Sequence, residues 1–161
     1  MLDPNKEYQY WQYAAFRGND DSRAKYTILS EGGDILLRSK IKRGNPSTKN
    51  ALFVGGHHEF RCNYAIYIEN NKVNYVKTEE EFRTFLGTID NLEEAILLAR
   101  TYDYQLDTDY DKASQYRKTE DGFDLRLMKW NEYPMRYEAV EINIKKDDFE
   151  VTSIHSLSED D

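Results

Sequence analysis

The sequence predicts an α+β fold, in which a mostly antiparallel sheet carries two short consecutive helices packed on one face. Residues 78–104 have the only strong helical periodicity in the chain, and strand-like runs lie on both sides of them. Strands and helices do not alternate one by one, which argues against a parallel sheet. The chain has 161 residues, so we expect a single domain over 1–161 that ends in a short acidic tail, 158–161.

The two helices are predicted from their apolar spacing and their capping residues. The apolar residues that recur at helical spacing are Phe82, Phe85, Leu86 and Ile89 and then Leu92, Ala95, Ile96 and Ala99. This spacing places one buried stripe on each helix. Thr78 and Glu81 have the offset of a capping box, and Asp90 or Asn91 can cap the second helix. Gly87 stands where the first helix should end.

Three regions before the helices have the composition of strands. Residues 8–17 carry aromatic side chains on both faces of an extended chain, so this strand is buried on both sides or has one face at the surface. A short helix is the alternative, because Trp11, Ala14 and Ala15 also have helical spacing. Residues 25–31 and 34–42 flank Gly32-Gly33 and predict a β-hairpin. Residues 60–69 and 72–77 flank a compact Asn-Asn turn and predict a second hairpin.

The predicted strand 34–42 would carry Arg38, Lys40 and Lys42 on one face. Such a basic stripe could contact phosphate or an acidic protein. The alternative is an edge strand that lysine protects against pairing with other molecules, and we favour that alternative.

A polar loop follows the helices, and three further strands follow the loop. The loop, about 18 residues from Asp103, is long for a compact domain, and loops of that length are often functional. Residues 123–130, 136–145 and 149–158 have strand-like patterns. The chain order of strands, two helices and strands is the basis of the α+β prediction.

Negative charge is concentrated in the helices and the loop after them. Residues 78–111 contain ten acidic and two basic residues, which equals the net charge of the whole chain, −8. An acidic face argues against nucleic acid as a partner through that face and favours a basic protein or a cation. A solvated helix surface that keeps the protein soluble is the alternative interpretation.

The sequence contains no catalytic or cofactor motif, so we predict a protein that is not an enzyme and holds no cofactor. Cys62 is the single cysteine and shares a strand face with apolar residues, which predicts a buried structural thiol. His57, Glu59 and His155 could complete a zinc site only if the fold brought them together, and we predict no metal. Asp107, Asp109 and Asp111 have calcium-loop spacing, but Lys112 and Lys118 replace the required glycine and glutamate.

The chain as written has no signal peptide and no apolar run long enough to span a membrane. As written, the chain has the features of a cytoplasmic protein, but a processed exported form would have the same sequence, so the localisation stays open. The sequence does not determine the oligomeric state.

The helical segment resembles a pattern found in a loosely defined group of uncharacterised bacterial proteins. The pattern is an acidic start, then F-x-x-F-L, a central I-D, and E-E-A with an aliphatic run. Its matching residues are Glu80, Glu81, Phe82, Phe85, Leu86, Ile89, Asp90, Glu93, Glu94, Ala95, Leu97, Leu98 and Ala99. The likeness extends weakly to residues 121–123 and the closing strands and covers about half the chain. It implies a shared α+β fold and no known activity, and some such proteins look exported or lipid-anchored.

The charge distribution leads to a prediction of function. We expect a non-enzymatic acidic protein-interaction module, of the kind represented by immunity proteins that cover the basic surface of a toxin. The predicted binding residues are Glu93, Glu94, Tyr102, Asp103, Tyr104, Asp107, Asp109, Tyr110 and Asp111. The alternatives are a small-ligand-binding protein whose aromatic-lined sheet includes Trp11 and Trp130, and an exported or envelope protein of the group above.

Overall fold

The computed structural model describes residues 2–18, 25–41, 48–55, 60–107, 114–146 and 148–155, with only the backbone described for residues 48 and 148–155. The chain divides into two compact units, residues 2–87 and residues 88–161. Each unit contains one five-stranded antiparallel sheet. Helix α1, Glu79–Leu86, belongs to the first unit, and helix α2, Leu92–Arg100, belongs to the second. The predicted α+β class with mostly antiparallel pairing is confirmed, and the strands form two sheets.

The sheet of the first unit is centred on its longest buried strands. The strands of this unit are β1 Tyr10–Arg17, β2 Lys25–Gly33, β3 Leu52–Gly55, β4 Arg61–Glu69 and β5 Lys72–Val76. Their order is β2-β1-β4-β3, and β5 pairs with β4 beyond the end of β3. Strands β1 and β4 therefore have neighbours on both edges and form the middle of the sheet.

Strand β1 is buried on both faces. On one face α1 packs through Phe82, whose ring stacks on Tyr13 at 5.5 Å, and Phe85, which meets Trp11 edge to face at 6.2 Å. On the other face Tyr10 belongs to a cluster of buried apolar side chains from β1, β4 and the segment that precedes β3. Aromatic residues on both faces of β1 thus fill two cores, one on each side of the sheet.

The first predicted hairpin is wrong. Strand β2 runs through Gly32-Gly33, and its antiparallel partner is β1. Residues Ile35–Lys40 form a 3₁₀ helix, because Gly33 turns the chain with φ +82° and the Asp34 side chain accepts a hydrogen bond of 3.0 Å from Leu36 N–H. The basic stripe does not lie on a strand: Arg38 forms an ion pair with Glu31, and Lys42 lies outside the described residues.

The second predicted hairpin is confirmed. Strands β4 and β5 pair in antiparallel register with Glu69 opposite Lys72. The two turn residues, Asn70 and Asn71, have φ values of 51° and 61°, which is the conformation of a type I′ turn. Asparagine tolerates this left-handed conformation better than most residues, so the turn sequence determines the register of the hairpin.

Both predicted helices are confirmed, together with their caps. Thr78 Oγ1 accepts a hydrogen bond from Glu81 N–H at 3.1 Å, and the Glu81 carboxylate accepts one from Lys77 N–H at 2.7 Å. The first helix ends at Gly87, with φ +67°. Asn91 caps α2 by accepting a hydrogen bond from the N–H of the third helical residue.

The sheet of the second unit has the order β10-β9-β8-β6, and β7 also pairs with β8. Its strands are β6 Tyr104–Gln105, β7 Gln115–Lys118, β8 Gly122–Glu132, β9 Met135–Lys145 and β10 Asp148–His155. The three predicted closing strands are confirmed as β8, β9 and β10, and two short strands lie within the predicted polar loop. On one face of β8 and β9, alternate residues are buried in opposed pairs, which are Phe123 with Ile144, Leu125 with Ile142 and Leu127 with Val140.

Among the described residues, no helix is both long enough and apolar enough to cross a membrane.

Candidate functional site: the acidic surface of the second unit

The candidate surface consists of residues 90–107, which comprise α2, the two residues before it and the segment that follows it. Four of the predicted binding residues lie there with side chains at least partly accessible. Glu93 and Asp103 are exposed, Tyr102 is 37 % exposed, and Asp107 is half-buried. Between Glu93 and the exposed Arg100, the outward side of α2 carries Ile96 and Leu97, which are half-buried. This surface therefore combines carboxylates with apolar area.

The backbone at the end of α2 explains why two of these residues are accessible. Thr101 is buried, and its Oγ1 donates a hydrogen bond of 2.7 Å to Leu98 O. Asp103 follows with φ +65°, a conformation that ends the helix and that aspartate tolerates better than most residues. The chain reverses here into β6, and Tyr102 and Asp103 remain at the surface.

Glu94 is not part of the surface, which corrects the prediction from sequence. Its side chain is fully buried, with 0 % exposure. The carboxylate accepts a hydrogen bond of 3.0 Å from Asp90 N–H, while Glu94 N–H donates one of 3.0 Å to Asn91 Oδ1. The carboxylate thus binds the N–H of the residue before the cap, in a variant of the capping box, and the buried Glu94 stabilises the start of α2.

Tyr104 is also buried, with 5 % exposure, so its prediction as an exposed contact residue is wrong. It begins β6 and lies opposite Lys129 of β8. The Lys129 ammonium lies 4.8 Å from the centroid of the Tyr104 ring, within the range of a cation–π interaction. Tyr104 therefore fixes β6 to the sheet.

The apolar and polar neighbours of Asp107 extend the surface. Leu106 is exposed. Asp107 N–H donates a hydrogen bond of 2.7 Å to Ser114 Oγ, and this bond links the end of the surface to the residue just before β7. Asp109, Tyr110 and Asp111, the remaining predicted binding residues, lie outside the described residues.

The metal sites considered from sequence fall partly outside the described residues. This holds for His57, Glu59 and two of the three calcium-spaced aspartates, and of His155 only the backbone is described. Within the described part of the chain, no three His, Cys, Asp or Glu side chains are placed to hold a metal ion.

Cys62 is a buried free thiol, as predicted. Burial raises the pKa of this thiol above its ordinary value, and a hydrogen bond with Tyr64 opposes that shift only in part. A raised pKa keeps the sulfur protonated at neutral pH, and the thiol is a weak nucleophile. Cys62 therefore contributes packing to the core of the first unit.

The two tryptophans do not form the predicted aromatic wall within either sheet. Trp11 is buried under α1 in the first unit, and Trp130 is exposed in the second. A different aromatic groove, of about 340 Å³, lies in the first unit and includes Tyr8, Tyr67 and Phe85. Tyr8 and Tyr67 have ring centroids 4.5 Å apart, and both rings stack on Phe85. Sequence reasoning missed this group because its three members are far apart in the chain.

A second groove, of about 590 Å³, lies against strands β7, β8 and β9 of the second sheet. Its charged side chains include Arg117 and Asp124, which form an ion pair, and Arg126. The Asp124 pKa lies below its ordinary value because Arg117 and Asn143 both donate hydrogen bonds to the carboxylate. The Arg117–Asp124 pair is therefore neutralised within the groove, whereas the buried Arg126 Nε has no hydrogen-bond partner among the described residues.

Comparison of the chain with protein-family models, with curated proteins and with solved structures gave no match. The resemblance described above stays a prediction.

Proposed function

We propose that this protein is a non-enzymatic interaction module that binds a basic protein through the acidic surface of its second unit. The observation that supports the proposal is the combination of accessible carboxylates on Glu93, Asp103 and Asp107 with exposed Tyr102 and Leu106. Interfaces commonly have an apolar centre with polar groups around it, and tyrosine is enriched at such centres.

The charge of the surface defines the chemistry of the partner. The chain carries −8 at neutral pH, so its field attracts a positively charged protein over distances comparable to the Debye length. Contacts between Tyr102 or Leu106 and the partner would then stabilise the complex after encounter. An immunity-type role, in which the chain masks the basic surface of a toxin, is the most specific form of this proposal.

The test compares two double variants that change the net charge equally. The first, Glu93→Gln with Asp103→Asn, neutralises the proposed surface and keeps the side-chain shapes. The control, Glu79→Gln with Glu80→Gln, neutralises two exposed acids of α1 in the first unit. Proteins captured by the wild-type chain from its native cells are identified, and the purified partner is titrated against all three chains at low and high salt.

At low salt we expect the first variant to bind about tenfold more weakly, since two lost charge contacts are worth roughly 1–2 kcal/mol together when they are not screened. Its affinity should also depend less on salt than that of the wild type. The control should bind almost as the wild type does. Equal weakening by the two variants would show that net charge alone matters and would contradict the assigned surface.

The aromatic groove of the first unit supports a second candidate function, binding of a small planar ligand. Tyr8, Tyr67 and Phe85 line a space of about 340 Å³, which is within the range of small-ligand sites, and the two tyrosine rings each stack on Phe85. A panel of planar aromatic compounds is tested for a rise in the melting temperature of the wild type and of Tyr67→Ala. Stabilisation of the wild type alone would support this function, and no stabilisation by any compound would exclude it for that class of ligand.

A further inference from the structure

Two rows of side chains line the groove beside β7, β8 and β9, and none of them belongs to the acidic surface. Gln115, Arg126 and Glu141 lie opposite one another across the three strands and form the first row. Arg117 and Asp124 form the second row, two residues away along the strands, which is a distance of about 7 Å. Because side chains alternate along a strand, both rows lie on the same face of the sheet.

The charges of the second row satisfy each other. Arg117 Nε donates a hydrogen bond of 3.0 Å to Asp124 Oδ2, and Asn143 donates one of 2.6 Å to Asp124 Oδ1. This row therefore forms one wall of the groove and adds almost no net charge to it.

Arg126 in the first row differs from Arg117 in that it has no partner. Its side chain is half-buried, and its Nε is shielded from solvent without making a hydrogen bond. No described residue forms an ion pair or a hydrogen bond with this guanidinium, although Glu141 lies directly opposite it on β9. Buried polar groups in native proteins are nearly always paired, so an unpaired cation at this position points to a partner from outside the chain.

Partial burial makes this guanidinium a better anion-binding group than an exposed arginine. Burial has already removed part of its hydration, so an anion that pairs with it loses less of the energy of pairing to desolvation. The planar guanidinium also matches the two oxygens of a carboxylate, which it can bind through two parallel hydrogen bonds.

The acids of the groove restrict which anion fits. Glu141 is exposed and lies across from Arg126, and Asp124 lies in the neighbouring row. These carboxylates, together with the net charge of −8, oppose a dianion such as phosphate. A carboxylate has about four acceptor sites, so Glu141 can accept hydrogen bonds from a ligand in addition to the contacts that it already makes. A ligand with one carboxylate and one ammonium group matches this pair of charges.

We propose that this groove binds a free α-amino acid, whose carboxylate pairs with Arg126 and whose ammonium group pairs with Glu141. The two protein charges are attached to directly opposed residues, whose Cβ atoms lie about 5 Å apart in an antiparallel pair. The groove volume of about 590 Å³ leaves room for the side chain of the ligand and is within the range of small-ligand sites.

Calorimetric titration of the full chain with the common amino acids tests the class of ligand. Acetate carries only the carboxylate and methylammonium only the ammonium group, so each should bind at least about tenfold more weakly than the best amino acid. Acetate or inorganic phosphate that binds as tightly as the best amino acid would overturn the assignment. So would a panel in which no amino acid binds at about 10 mM, a concentration that detects even millimolar affinities.

Three variants test the residues. Arg126→Gln should weaken binding of the best amino acid about tenfold or more, whereas Arg136→Gln, which removes an exposed arginine outside the groove, should not. Glu141→Gln should weaken binding of the amino acid but strengthen binding of acetate, because it removes the acid that faces the bound carboxylate. Equal effects of Arg126→Gln and Arg136→Gln, or weaker binding of both ligands by Glu141→Gln, would contradict the proposal.

The melting temperature of unliganded Arg126→Gln gives a readout that does not depend on a ligand. Removing an unpaired, half-buried cation should leave the melting temperature unchanged or raise it, because the wild type has no ion pair to lose at this position. A clearly lower melting temperature would mean that the chain itself supplies a partner for Arg126, and the proposed site would then be wrong.

Discussion

Replacing Tyr10 by phenylalanine tests the buried polar contact that fixes the 3₁₀ helix to the first sheet. Tyr10 is fully buried, and its hydroxyl oxygen lies 2.6 Å from Glu31 Oε2 and 3.0 Å from Gln12 Oε1. We assign the single hydroxyl proton to the carboxylate, because that contact is shorter and charged. Arg38 of the 3₁₀ helix donates to the same carboxylate from its Nε, at 2.8 Å.

The size of the effect follows from the kind of hydrogen bond that is lost. A bond to a charged acceptor contributes about 1.5–3 kcal/mol, and phenylalanine keeps the apolar ring in place. We therefore expect Tyr10→Phe to lower the free energy of unfolding by about 2 kcal/mol at pH 7. Glu31 keeps its ion pair with Arg38, which limits the loss.

The pH dependence gives a second, independent signal. Burial and the hydrogen bond to Glu31 raise the pKa of Tyr10 well above its ordinary value. A group with a raised pKa in the folded state contributes its full stability below the pKa of the unfolded state, about 10 for tyrosine, and loses it as the pH rises further. The wild type should lose up to about 1.4 kcal/mol per pH unit from this residue above pH 10, and the variant should not.

Urea unfolding of both chains between pH 7 and pH 11 measures these effects, with Tyr116→Phe as a control because Tyr116 is exposed. The difference in unfolding free energy between wild type and Tyr10→Phe should be largest near pH 7 and shrink at alkaline pH. A difference that stays constant across this range would refute the reasoning, because it would mean that Tyr10 ionises equally in both states.

Three further substitutions test the packing and the helix caps. Phe82→Ala should lower the free energy of unfolding, measured in urea, by about 3–5 kcal/mol, because the Phe82 ring is fully buried in the aromatic cluster between α1 and the first sheet. Gly122→Ala should lower the free energy of unfolding by about 3 kcal/mol, because the new Cβ would overlap the carbonyl oxygen of Ile144. A Cβ at Gly55 would meet no atom of the described residues within 4 Å, so Gly55→Ala should change stability little. Asn91→Ala should cost about 1 kcal/mol by removing the cap of α2, visible as a lower melting temperature.

The sequence predicted best those features that neighbouring residues determine. Both helices, their caps at Thr78 and Asn91, and the Asn70-Asn71 turn depend on residues within four positions of each other. The order of strands within each sheet and the division into two sheets were not predicted. Those features depend on pairing between distant segments, such as β1 with β4, which a single sequence pattern does not encode.

Two of the wrong predictions concern residue types that have more than one common use. Gly32-Gly33 has the composition of a hairpin turn, but β1 supplies the partner of β2, and the glycines lie within an edge strand. Glutamate is usually a surface residue, but the Glu94 carboxylate accepts a backbone hydrogen bond at the start of its own helix. The glycines were assigned the use that their local context favours, whereas the spacing of Asn91 and Glu94 was itself a local signal for the buried role of Glu94.

Only some of the acids that give residues 78–111 their negative charge are available to a binding partner. Of the ten acids in residues 78–111, Glu81 and Glu94 accept backbone hydrogen bonds at helix starts, and Asp90 lies 3.7 Å from the Lys146 ammonium. Among the described acids of residues 91–107, those that a partner can reach are Glu93, Asp103 and the half-buried Asp107. Three surface charges supply little binding energy of their own in physiological salt. If this surface binds a basic protein tightly, Tyr102 and Leu106 must therefore provide most of the affinity, and the carboxylates mainly the rate of encounter and the choice of partner.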